Sequence, residues 1–242
     1  MGGTEPGCGL LRRPEAATTC KARRAGATEA CHAAAVSEPR EIADSVEQVV
    51  AGVWHWRIHN SSIGGATSSS HAVETDTGCV LIDPVRLAAE AFASLPQPAA
   101  ILLNAKTHQR SAWRYRTELG IEVWLPEDAP EADDEPDRRF REGDLLPGGL
   151  RAVRTPGPER PHYSFLLERE PGVLFCSDLI SNEGARDLRF VPAEYHEDPD
   201  ETRRSVERLL DLPFTVLCLD HGAPVTEDPK AALQELLGES RA

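Results

Sequence analysis

LRAVRTPGPERPHYSFLLEREPGVLFCSD (residues 150–178) is the stretch whose reading decides the fold. Three runs, 150–156, 163–168 and 173–178, are rich in Val, Leu, Phe and Tyr and are bounded by Gly and Pro, the pattern of short strands. Two of them run into polar residues: TPGPERPH carries His162, and VLFCS ends at Asp178. Polar side chains just past buried strands lie on loops held by a rigid scaffold, where function concentrates.

Working outward, the same layout recurs. VEQVVAGVWHWRI (46–58) alternates like a half-buried strand broken at Gly52, and NSSIGGATSSS (60–70) is rich in turn formers. HAVETDTGCVLIDP (71–84) gives two strands around a turn at Asp76–Gly78, followed by a predicted helix over 86–95. The apolar run AAILLN (99–104) leads into AKTHQRS with His108, and the helix 111–119 closes at Gly120 ahead of a strand at 121–126. Beyond the opening stretch, Asp198 caps a helix with Pro199 at its first position and Glu201 as capping-box partner. TVLCLDHG (215–222) is a buried strand ending at His221, and a last helix starts at Asp228-Pro229. Strands followed by β/α alternation, twice over, predict an α/β layered fold with helices outside the sheets.

The chain has 242 residues, 40% of them hydrophobic, and a net charge of −14. Residues 1–40 hold six basic and four acidic side chains, so they carry +2 and the remainder −16. The low-complexity Ala/Arg/Thr/Gly composition of residues 1–41 predicts a disordered tail, or a start placed too far upstream, before a domain at 42–242. Nothing resembles a secretory signal or an ~18–20-residue membrane span. The acidic balance argues against nucleic acid and anionic membranes as partners. Cys79, Cys176 and Cys218 sit in apolar runs without any C-x-x-C pair, as small buried hydrophobes in a reducing cytoplasm. The seven carboxylates of Glu127–Asp137 read as a solvated loop. The expected partner is a small-molecule ligand or substrate, and four tryptophans leave room for a homo-dimer interface.

Histidines or carboxylates at successive strand ends form the layout of a metal hydrolase site. Here the order of elements resembles the metallo-β-lactamase fold superfamily over residues 46–225. The segments SSSHAVETDTGCVLIDP, TPGPERPHYSFLLE, GVLFCSDLI and LCLDHG resemble its opening hairpins, its "T-P-G-H-T-P-G-H" segment, its "L-F-x-G-D" strand and its final "G-H-G" loop. The resemblance implies a four-layer αββα sandwich. It also implies one or two metals held at seven positions, of which His108, Asp178 and His221 survive. Pro158 stands at the "P-G-H" ligand, and in one register Lys106 and Arg110 stand at H-x-H-x-D-H ligands. Fixed cations there would repel a divalent ion.

The favoured reading is a metal-free pseudo-enzyme or small-molecule-binding form, with an Arg110–Asp178 ion pair in place of the metal. Lys106, Arg110, His162, Tyr163 and His71 are its candidate binding residues. The alternative is a mononuclear hydrolase of an ester, thioester or lactone, with one zinc, iron or manganese ion on His108, Asp178 and His221. His55, His59 and His71 read as surface histidines, His71 having a route into the cleft, and His196 precedes a helix N-terminus.

Overall fold

The computed structural model describes Met1, residues 38–129, residues 132–182, Gly184 and residues 187–239. The expected tail falls almost wholly outside the described residues. Its last part is described: Glu38 forms a bidentate pair with Arg114, at 2.7 and 2.9 Å.

The first sheet contains seven strands in sequence order: β1 (Glu47–Val50), β2 (Val53–His59), β3 (Thr67–Thr75), β4 (Gly78–Ile82), β5 (Pro98–Leu102), β6 (Glu122–Pro126) and β7 (Arg138–Phe140). The second contains β8 (Leu145–Leu146), β9 (Leu150–Arg154), β10 (Tyr163–Leu167), β11 (Val173–Cys176) and β14 (Val216–Leu219), in the order β14-β11-β10-β9-β8. A separate hairpin, β12 (Ile180–Asn182) and β13 (Leu188–Phe190), follows β11. The helices are α1 (Ala89–Phe92), α2 (Ala112–Leu119), α3 (Pro199–Leu209) and α4 (Pro229–Glu239).

Three apolar clusters define the four layers. Trp56, Leu81, Ile101 and Tyr115 fill the space between the first sheet and α1 and α2. Val73, Ile82, Phe165 and Phe175 fill the space between the sheets, and Leu166, Leu174, Val206 and Leu233 join the second sheet to α3 and α4. The period-2 alternation is visible within β10, where Phe165 and Leu167 face the other sheet and Leu166 faces the helices. Burying each such side chain stabilises the fold by roughly 1.5–3 kcal/mol. The expected αββα sandwich is the observed architecture. Among the described residues, no helix is long and apolar enough to cross a membrane.

Two local expectations are corrected. The helix predicted over 86–95 shrinks to Ala89–Phe92, because Leu87 bridges Ala43 and Ala88 is extended. Thr67–Ser70 belong to β3 rather than to a loop. Their hydroxyls explain it: Ser69 Oγ donates to the Gly222 carbonyl at 2.9 Å and Ser70 Oγ to the Asp83 carbonyl at 2.7 Å, so these serines are satisfied when buried. The helix ends match the sequence: Asp198 accepts from the Glu201 amide at 2.9 Å, and Gly120 takes the left-handed conformation after α2.

Candidate functional site

β4 and β5 pair in parallel, as do β11 and β14, so the C-terminal ends of each pair lie together. Asp83 follows β4, and Asn104 and a 3₁₀ turn at Lys106–His108 follow β5. Ser177 and Asp178 follow β11, and Asp220 and His221 follow β14. Backbone bonds from Tyr163 N to Asn104 O (3.0 Å) and from Ser69 N to Asp220 O (2.7 Å) stitch the two sheets at this edge. Gly222, at φ +110°, completes the His221 loop, where any side chain would collide with the Asn182 carbonyl.

His108 is the hub. Its Nε2 lies 2.8 Å from Asp178 Oδ2, and its Nδ1 lies 2.8 Å from Asp220 Oδ2 and 2.9 Å from Asn104 Oδ1. Asp220 Oδ2 and Asn104 Oδ1 are both acceptors, and the Ser177 hydroxyl lies within reach of each, at 3.2 and 2.8 Å. The His108 Nδ1 therefore carries a proton. His221 repeats the arrangement, with Nδ1 on the Thr67 carbonyl and Nε2 2.8 Å from Asp178 Oδ1. Both imidazoles thus give Nδ1 to a fixed acceptor and aim Nε2 at one carboxylate.

The charges follow from these contacts. Burial alone would lower the His108 pKa, but Asp178 and Asp220 outweigh it and hold the group well above its ordinary value. Burial likewise opposes the charge on Asp178, yet His108 and His221 keep it well below the usual carboxylate range. Asp83, fully buried and beside Asp220, is pushed up to about 7.

Arg110 corrects the proposed ion pair. It is 6% exposed rather than a surface helix-start residue. Its Nη1 donates to the carbonyls of Ser69 (2.5 Å) and Asp83 (2.9 Å), and its Nη2 lies 3.8 Å from Asp220 Oδ2. Asp178 is not within salt-bridge distance of Arg110: the two imidazoles already occupy both its oxygens. Lys106 is half-buried, and its ammonium group makes no hydrogen bond or ion pair among the described residues. The cations expected to repel an ion at Asp178 are thus engaged elsewhere or unattached.

The other candidates divide. His162 is fully buried beside the hub, with Nδ1 2.7 Å from the Thr155 carbonyl, and burial pushes its pKa down to about 4. Tyr163 does not face a cleft: it packs edge-on against Phe140 in the inter-sheet core, ring centroids 5.2 Å apart. His71 and His55 are buried rather than surface residues, their ring centroids 5.3 Å apart, with His71 against Phe175. Their place on inward-facing positions of β3 and β2, in register with each other, accounts for it. His59 is exposed as expected, and His196 holds Thr202 in the first turn of α3.

Sequence reasoning missed Asp83, Asn104 and Asp220. Each is a polar residue at the end of an apolar strand run, a signal close to the one that singled out Asp178. It also missed Glu159, whose carboxylate accepts from the Thr107 hydroxyl beside His108 and whose pKa burial raises.

His108, Asp178 and His221 are a donor set of the kind that could hold one metal ion. Tetrahedral coordination at Zn–N distances of ~2.0–2.1 Å sets donors about 3.3 Å apart, and one ligand atom from each of His108, Asp178 and His221 lies within 4.8 Å of the others. Fixing each Nδ1 to an acceptor is what orients a ligating imidazole.

No family model matches the chain, and no curated protein matches its sequence. Solved structures do. A metallo-beta-lactamase family protein from Thermus thermophilus superposes with TM-score 0.61 at 19% identity, over 80% of this chain and 81% of that one. A metallo-beta-lactamase from Pontibacter korlensis gives 0.64 at 17%, over 80% and 98%. One from Erythrobacter litoralis gives 0.60 at 16%, over 80% and 92%.

Proposed function

We propose that this chain, whose fold is that of the metallo-β-lactamases, holds one divalent transition-metal ion on His108 Nε2, Asp178 and His221 Nε2. We read it as a hydrolase of a carbonyl ester, thioester or lactone. The observation that carries this reading is the common orientation of the two imidazoles, each with Nδ1 committed to an acceptor and Nε2 turned to Asp178. When bound there, such an ion supplies Lewis acidity at neutral pH.

The chain's own residues do the positioning. Asn104 and Asp220 hold the His108 ring, Ser177 holds Asn104, and the Thr67 carbonyl holds His221. Asp178 and His221 side chains are 23% and 18% exposed, so they form the reachable face, while His108 at 7% closes the floor. His162 stays neutral and adds no positive charge nearby.

A second reading, a metal-free small-molecule-binding module, is favoured by the same 2.8 Å distances, which also suit charge-assisted hydrogen bonds. Metal content of the purified protein separates the two. The hydrolase reading expects about one zinc, iron or manganese ion per chain, lost in His221→Ala, and a melting temperature lowered by chelator. Absence of metal with an unchanged melting temperature in chelator refutes it and leaves the binding module.

A further inference from the structure

On the other face of His108 lies a second set of donors that the proposed centre does not use. Asp83 Oδ2, His108 Nδ1 and Asp220 Oδ2 all lie within 4.8 Å of one another, and all three residues are buried. Asp83 Oδ2 is 3.7 Å from His108 Nδ1 and has no hydrogen-bond partner, although Asp83 is 0% exposed. A buried carboxylate oxygen without a hydrogen bond is costly, and the one ion pair to His108 leaves room for a closer cation.

Two cationic groups face these carboxylates: the His108 imidazole, 3.7 Å from Asp83 Oδ2 and 2.8 Å from Asp220 Oδ2, and Arg110. Its guanidinium reaches Asp220 and the carbonyls of Ser69 and Asp83, but not Asp83 Oδ2. The contact is also made under backbone strain. Arg110 and Asp83 sit at φ +42° and +45°, two of the three non-glycine residues with positive φ among the described residues. Strain of this kind persists only where the surroundings over-determine it.

We propose that the Arg110 guanidinium is a resident cation closing a second ion site. The site is built from Asp83, Asp220 and the main-chain carbonyls of Ser69 and Asp83, and an oxygen-preferring divalent ion such as Mn2+ enters once the guanidinium charge is removed. Carboxylate and carbonyl donors suit manganese or magnesium rather than softer ions. A divalent ion would reach both carboxylates, whereas the guanidinium pairs with Asp220 alone. Arg110 is thereby the residue that confines any exchangeable ion to the Asp178 side of His108. The inference does not rest on an ion being held at Asp178.

The test uses the full chain with Asp178→Asn throughout, which removes the first centre, and Mn2+ alone as probe. Bound Mn2+ is counted by electron paramagnetic resonance and checked by Mn2+-dependent melting. Arg110→Gln, which keeps donors for the two carbonyls but drops the charge, is expected to bind one Mn2+ per chain and to melt higher with it. Arg110→Lys, which keeps the charge, and Asp178→Asn alone are expected to bind none. Adding Asp83→Asn to the Arg110→Gln chain is expected to abolish uptake. A folded Arg110→Gln chain without Mn2+, equal uptake by Arg110→Lys, or uptake that survives Asp83→Asn would each overturn the proposal. If Arg110→Gln does not fold unaided, Mn2+ is expected to restore its native circular dichroism, and failure to do so counts against the site equally.

Discussion

The two ring nitrogens of His108 face two regions of opposite character. On the Nε2 side, Asp178 and His221 are about one-fifth exposed, and neither contacts a fixed cation. On the Nδ1 side, Asp220, Asp83 and Arg110 are all at least 94% buried, and the guanidinium is tied to two carbonyls. The same residue types thus serve two ends. Behind the ring, where no solvent competes, they lock the histidine in place. In front of it, where Asp178 and His221 are partly exposed, the carboxylate is paired with two imidazole nitrogens. A carboxylate's neighbours and burial, more than its presence, decide whether it is scaffold or site.

The largest expected effect breaks the rear side. Asp220→Asn leaves Arg110 and His108 buried without their shared counter-charge. Removing one partner of a buried pair costs about 3–5 kcal/mol, so urea unfolding of Asp220→Asn should show a loss of that order. Asp178→Asn, at the partly exposed front, should cost clearly less while abolishing metal retention. Equal losses for the two variants would erase the proposed distinction.

A middle-sized effect sharpens it. Ser177→Ala removes the hydroxyl that reaches both acceptors of His108 Nδ1, Asn104 Oδ1 and Asp220 Oδ2. Losing such an orienting bond lowers metal affinity by about 10–100-fold. Competition with a zinc chelator should show this weakening with little change in unfolding midpoint. An unchanged affinity would mean that Asp220 alone orients the ring.

The contrast between front and rear also explains what the sequence disclosed. Strand runs such as YSFLLE and VLFC announce themselves through apolar patterning, and an α/β layered fold follows from their alternation with helices, while the four-layer order comes from the family resemblance. His108, Asp178 and His221 were legible because each is a ligand-type residue just past a strand. Arg110's partner was not legible. Both Asp178 and Asp220 end apolar strands, and Arg110 reaches Asp220 from a positive-φ backbone, a conformation that its residue type does not dictate. The hairpin β12–β13 and the brief β7 and β8 were missed because two or three residues cannot establish a period. His71 and Tyr163 misled for a different reason: a polar-tipped ring on an inward strand position packs in the core as readily as it lines a cleft.

The smallest expected effect is a control that places the rear side's chemistry in water. Arg116 holds Asp137 bidentately at 2.8 Å, a guanidinium–carboxylate pairing like that at Arg110, but both side chains are about 30% exposed. The Arg116 hydrogen bond is the chief cause of a lowered Asp137 pKa. A carboxylate whose folded pKa is depressed contributes stability above its unfolded value of ~3.9, and that contribution is lost as pH falls through the folded value. Solvent screening limits an exposed pair to about 0.2–1 kcal/mol. Arg116→Ala should therefore melt slightly below the parent chain at pH 7, with the gap closing as the pH falls below about 3.9. Part of the gap should also close in 1 M salt, where the Debye length is about 3 Å. A destabilisation as large as that of Asp220→Asn would show that burial is not what separates the two guanidinium–carboxylate pairs, and the contrast drawn across His108 would lose its physical basis.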